Sequence, residues 1–170
     1  MRVPRLYDTT PGQEDVSIAQ VWGDWLSTLA DWDWFATMTF RDRTLEEQKA
    51  GWTKVGWGFA HTALARWSTA IQGACFGDLQ PRWVGCMEYQ KSRGVPHWHL
   101  LVSNTGNQRR MDWVDWWYRE YGIARVLPYD SELGARYYLT KYVTKDLADV
   151  VFSSGISQDR HDMTPGLLTR

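Results

Sequence analysis

Cysteine is nearly absent from this chain of 170 residues, which has only Cys75 and Cys86. Two such distant cysteines exclude a disulfide framework and a zinc knuckle, and both are expected to stay reduced. No run of about eighteen apolar residues occurs, which excludes an ordinary membrane-spanning helix. The start, MRVPRLYDTTPGQEDV, lacks the charged stretch, apolar stretch and small-residue cleavage site of a secretion signal, so the expected location is the cytoplasm, with no membrane partner. Net charge is nearly missing too: −1, with a pI near 6.4, argues against a protein that coats nucleic acid through bulk electrostatics. There is no G-x-x-x-x-G-K-[ST] phosphate loop, so unwinding of DNA by that mechanism is excluded. Internal repeats are absent as well.

What is present is concentrated. Residues 1–50 hold five basic and nine acidic side chains, whereas 51–100 hold five and two, leaving the middle of the chain locally positive and open to an anionic partner. Tryptophan is abundant, with 12 residues. Large aromatics fill cores and also stack on bases, and core packing accounts for most of them here. A hydrophobic fraction of 44% supports one core and one domain, with boundaries expected at 1–152 and a flexible polar tail over 153–170.

The spacing predicts a helix over 16–30, where Ile18, Val21, Trp22, Trp25, Leu26 and Leu29 recur at helical intervals. WFATMTFR, 34–41, alternates as a strand, with Thr37, Thr39 and Arg41 on one face and Ala36, Met38 and Phe40 on the other. A helix is predicted over 53–71. RWVGCMEY and PHWHLLV, joined by QKSRGV, read as an antiparallel hairpin. A helix over 111–121 ends at Gly122 as a glycine stop; IARVLPY makes another strand, and 132–147 the last strong helix. The order of elements implies an α+β domain whose antiparallel sheet carries helices.

Two of the chain's four histidines stand one residue apart in PHWHLLV. In a strand His97 and His99 look one way, while Trp98, Leu100 and Val102 look the other. If QKSRGV closes the hairpin symmetrically, Tyr89 faces Pro96 and Glu88 faces His97, which puts Glu88 on the histidine face. One carboxylate and two neutral imidazoles on a rigid sheet suit a divalent ion, Mn²⁺, Mg²⁺ or Zn²⁺, with open coordination positions. A strand that merely tolerates two surface histidines is the plainer alternative.

ARYYLTKYVTKDL, 135–147, carries a second pattern. On an α-helix Tyr138, Lys141, Tyr142 and Lys145 fall within one arc of roughly 100°, with Leu139, Val143 and Leu147 opposite, so the tyrosines are expected off the core stripe. Two phenols one turn apart, each followed three residues later by lysine, make a pair of nucleophiles, because a nearby ammonium favours the phenolate. The plainer alternative is an amphipathic helix with solvated lysines.

Taken together, PHWHLLV resembles the histidine, hydrophobic, histidine signature of the HUH endonucleases, and YLTKYVTK is similar to the two-tyrosine motif of their rolling-circle replication initiators. FATMTF resembles their first motif, and the three arrive in the family's order over 35–145. The resemblance implies a five-stranded antiparallel sheet flanked by helices and related in topology to the RNA-recognition motif. It implies Glu88, His97 and His99 as ligands of Mn²⁺ or Mg²⁺, and Tyr138 and Tyr142 as nucleophiles, Tyr138 cutting first because it opens the motif. Lys141 and Lys145 would neutralise phosphate or hold a tyrosine ionised. Arg41, Lys91 and Arg93 are candidate backbone contacts. The implied activity is site-specific nicking and joining of single-stranded origin DNA through a 5′-phosphotyrosine, with a helicase supplied by the host or separately. Only four strands are evident, so the fifth is expected from a loop or terminus such as 4–10. The helix before FATMTF looks like an addition to the minimal domain. A relaxase, a single-tyrosine transposase, a noncatalytic single-stranded nucleic-acid-binding module and a two-histidine, one-carboxylate iron oxygenase are the rival readings.

Overall fold

A computed structural model describes residues 18–51, 54–75, 77–90, 94–140 and 149–153. The alternating apolar stretch WDWFATMTF forms β1 (Trp32–Phe40), preceded by α1 (Ile18–Leu29) and followed by the short α2 (Leu45–Lys49) and by α3 (Trp57–Ala74). The hairpin strands are β2 (Arg82–Tyr89) and β3 (Pro96–Ser103). After them come α4 (Arg110–Glu120), β4 (Gly122–Pro128), a π-helical turn (Arg136–Thr140) and β5 (Asp149–Phe152). The strands make one five-stranded sheet in the order β4-β1-β3-β2-β5, with every neighbouring pair antiparallel. This is an α+β domain, and β3, the histidine strand, lies at its centre.

Alternation divides the sheet into two unlike faces. Ala36, Met38, Trp98, Leu100, Val102, Ala124 and Val126 face α3 and α4, packing on Leu64, Trp67, Ile71, Trp113 and Trp117 in the larger core. Indole donors pin this layer: Trp98 Nε1 donates to the Ala60 carbonyl at 3.1 Å and Trp117 Nε1 to that of Thr39 at 3.2 Å. Among the described residues, the opposite face is covered over only part of its length. There Val84, Cys86 and Leu101 pack beneath Leu26 of α1, Ala135, and Tyr138 and Leu139 of the π turn. Ser27 Oγ ties the two covering elements together by accepting the Ala135 N–H at 3.3 Å.

Several expectations need correction. The fifth strand comes from Asp149–Phe152, pairing with β2, and not from 4–10, which lies outside the described residues. Gly122 opens β4 and is not a left-handed helix stop: Tyr121 is the cap, and a Cβ on Gly122 would collide with the Thr39 carbonyl and the Arg41 amide. The glycine is needed because β1 passes against it. Gly94, by contrast, does adopt a positive φ, +62°, in the hairpin loop. The third helix runs Trp57–Ala74, three residues past the expected end. The helix α2 went unread, although Thr44 and Glu47 spell its start: each side chain accepts the other's backbone N–H in a capping box. The domain boundary near 152 and the tail lie largely outside the described residues.

Candidate metal centre

The hairpin register is the one that the loop length implies: Glu88 opposes His97 and Tyr89 opposes Pro96. His97 and His99 therefore share the incompletely covered face with Glu88. His97 Nε2 lies 3.3 Å and His99 Nε2 3.7 Å from the same carboxylate oxygen, Glu88 Oε2. One ligand-type atom from each residue lies within 4.8 Å of the other two. The imidazoles stand edge to face, with centroids 4.8 Å apart at 84°.

Neighbouring strands fix these rings. Thr37 opposes His99 across β1 and β3, and its Oγ1 lies 3.3 Å from His99 Nδ1. A proton on Nδ1 donated to that hydroxyl would leave the Nε2 lone pair free for a cation, the usual way in which a ligand histidine is oriented from its far nitrogen. Phe35 stacks parallel to the His99 ring at 6.2 Å and 7°. His99 is buried, whereas His97 and Glu88 are half-buried, so the group is supported from below and reachable from one side. Cys86 opposes His99, but burial pushes its thiol up to about 12, so it fills the core as a neutral thiol. Two imidazole nitrogens and one carboxylate oxygen converging on one small volume fit a hard or borderline divalent ion.

The tyrosine segment is less simply placed. Tyr138 is buried, at 6% exposure, and not turned off the core as a regular helix would have it. Residues 136–140 form a π turn, whose wider period changes the face each residue presents, and α1 supplies a second apolar layer that closes over Tyr138 and Leu139 together. The Tyr138 ring lies 4.8 Å from Phe35, which thus packs against both that phenol ring and the His99 ring. The Tyr138 hydroxyl accepts the Asp130 N–H at 3.1 Å. Tyr137 points outward at 62% exposure. Lys141, Tyr142 and Lys145, and likewise Lys91 and Arg93, lie outside the described residues.

Arg41 follows β1 on the Thr37 and Thr39 side and is half exposed; Nη1 donates to the Glu120 carbonyl at 3.3 Å, and Nη2 lies 4.0 Å from Glu47 Oε1. Sequence reasoning missed the supporting roles of Thr37 and Phe35. Their signal was the alternation of FATMTF, which already put Thr37 on the strand face opposite Met38.

An antiparallel α+β sheet that brings a carboxylate and two imidazoles together on one face forms a group that could hold a divalent ion. More particularly, the chain belongs to a family of replication-associated proteins of the ORF2 type, whose model matches residues 33–147, from the start of β1 through the tyrosine segment. Neither a curated protein nor a solved structure matches the chain. No described helix is long and apolar enough to cross a membrane.

Proposed function

We propose that this replication-associated protein is a rolling-circle initiator of the HUH endonuclease type, nicking and rejoining single-stranded origin DNA through a covalent phosphotyrosine. The observation that carries this reading is the convergence of Glu88, His97 and His99 on one open sheet face inside the segment matched by the family. Held by these three residues, Mn²⁺ or Mg²⁺ would stabilise charge developing on a nonbridging phosphate oxygen. Glu88 supplies the carboxylate that both Nε2 atoms approach, Thr37 orients His99, and Phe35 packs parallel to the His99 ring.

Tyr138 and Tyr142 are the nucleophiles. A phenol oxygen forms a bond to phosphorus as the bond from phosphorus to the 3′ oxygen breaks; the phenol gives up its proton and the departing 3′ oxygen takes one up. The products are a 5′-phosphotyrosine and a 3′-hydroxyl that primes synthesis. Lys141 and Lys145, each three residues after a tyrosine, favour the phenolate or neutralise the phosphate, and Arg41, Lys91 and Arg93 contact the DNA backbone. Joining runs the same step backward. With no phosphate loop in the sequence, strand separation falls to a helicase from the host or another protein.

The test is incubation of the full chain with a broad pool of single-stranded origin oligonucleotides and Mn²⁺, followed by denaturing electrophoresis. A denaturation-resistant protein–DNA adduct that chelation prevents is expected. Binding without any adduct across the pool would leave a noncatalytic nucleic-acid-binding module as the better reading.

A further inference from the structure

The part of the histidine face that α1 and the π turn leave open extends sideways from the metal-binding group to the edge strand β4. Registers on either side of β1 define two rows across it. Arg125 opposes Thr37, which opposes His99; Ile123 opposes Thr39, which opposes His97, which opposes Glu88. Residues directly opposite in antiparallel strands present side chains to the same face, so both rows lie on the side of the ligands. The burial of β4 agrees: Ala124 and Val126 are buried under α4, while Ile123, at 68% exposure, and Arg125 are open.

Arg125 makes no ion pair or hydrogen bond to a described residue. An exposed guanidinium two strands from a phosphate-accepting group, beside two threonines and an exposed isoleucine, is matched to a flexible polyanion whose sugars and bases are partly apolar. Its Cα lies about 10 Å from that of His99, two strand spacings across the sheet. We infer that Arg125 is a phosphate-gripping residue of a shelf formed by Ile123, Arg125, Thr37 and Thr39, on which single-stranded DNA lies as it leaves the metal-binding group. The shelf rests on the nicking function proposed above. It places the guanidinium on a phosphate neighbouring the scissile one, with Ile123 under the adjoining sugar or base. Arg125 positions the strand and does not touch the reacting atoms.

Arg125→Ala, Arg125→Lys and, as a control on the opposite face, Arg66→Ala are compared with the unaltered chain. Binding of a fluorescent single-stranded oligonucleotide is measured in chelator over a range of salt, with thermal unfolding recorded for each. Arg125→Ala should weaken binding roughly tenfold, the expected loss for one charge-assisted phosphate contact. It should also flatten the dependence of log K on log salt by about 0.7, the share of a single phosphate on a single strand. Arg125→Lys should restore that slope, and Arg66→Ala should change neither quantity. Unchanged affinity in Arg125→Ala, or weaker affinity with an unchanged slope, overturns the shelf. Adduct formation by the unaltered chain, scored separately, reports on nicking, so a chain that nicks normally while Arg125→Ala binds normally loses the shelf alone.

Discussion

Strand β3 has two faces that meet different fates. Trp98, Leu100 and Val102 are sealed beneath α3 and α4, whereas His97 and His99, one residue away in either direction, look onto a face that α1 and the π turn cover only in part. The same backbone therefore serves as scaffold on one side and as site on the other. A period of two makes the division strict: a one-residue slip in register would bury the histidines and expose the tryptophan. The imidazoles owe their fixed positions to the sealed face behind them.

Substitutions on the two faces should separate stability from chemistry, and this is the largest expected effect. Trp98→Ala removes a fully buried indole and its bond to Ala60, and should cost about 3–5 kcal/mol in urea unfolding. His97→Ala should cost under about 1 kcal/mol because the ring, 16% exposed, lies outside both apolar clusters. His99→Ala should cost more than His97→Ala, since it also loses Thr37 and Phe35. Either histidine variant should lower adduct formation by roughly 10³-fold or more, as chelation should in the unaltered chain. Normal cleavage by both variants at saturating Mn²⁺ would remove the metal assignment.

A second contrast sets the hairpin against the tyrosine segment. Sequence order expects Tyr138 to cut first. Its burial, its hydroxyl held by Asp130 and its packing on Phe35 set Tyr138 back as first nucleophile, and the order we propose is Tyr142 for the initial cut and Tyr138 for the second transfer. Tyr142→Phe should then lose most initial nicking, while Tyr138→Phe should nick yet fail to release a circle, and the double variant should form no adduct while still binding DNA. Loss of the first adduct in Tyr138→Phe would restore the order read from the sequence. An adduct persisting in the double variant would point to Tyr137 or another group.

The contrast also explains what the sequence could convey. Alternation and loop length are local, and they placed Glu88 opposite His97 with no tertiary information. The π turn is not local in that sense: an α-helical period applied to Arg136–Thr140 puts Tyr138 on an outer face, and only contact with α1 and Phe35 reveals it as core. β5 escaped notice because DVVF is four residues long and follows a stretch with a helical pattern; its strand character comes from pairing with β2. The role of Gly122 was equally invisible, since the β1 backbone that crowds it lies some eighty residues earlier in the chain.

Among Glu88, His97 and His99 the effect of Glu88 should be smaller than that of the histidines. Glu88→Gln keeps the shape but removes the charge that both imidazoles approach, and should weaken Mn²⁺ binding by at least roughly tenfold in calorimetry while leaving the fold intact. Unaltered metal affinity would mean that Glu88 is a neighbour and not a ligand.

The smallest effect tests the covered part of the histidine face. Burial holds the Tyr129 phenol above its ordinary range, with the nearby Ser27 hydroxyl opposing the shift and Tyr138 and Asp130 adding to it. The folded state thus disfavours the phenolate that the unfolded chain forms near pH 10. The neutral phenol's contribution is fully present below about pH 10 and declines as pH rises through the raised folded value, because the unfolded chain then binds fewer protons. Urea unfolding at about pH 8 and about pH 10.5 should show an alkaline loss of stability that Tyr129→Phe reduces. Ser27 accepts the Ala135 N–H just ahead of the π turn; Ser27→Ala, which removes the hydroxyl that opposes the shift, should steepen the alkaline loss. If Tyr129→Phe leaves the pH dependence unchanged, another group carries the alkaline loss, and the burial of Tyr129 beside Tyr138, ring centroids 5.2 Å apart, is not its source.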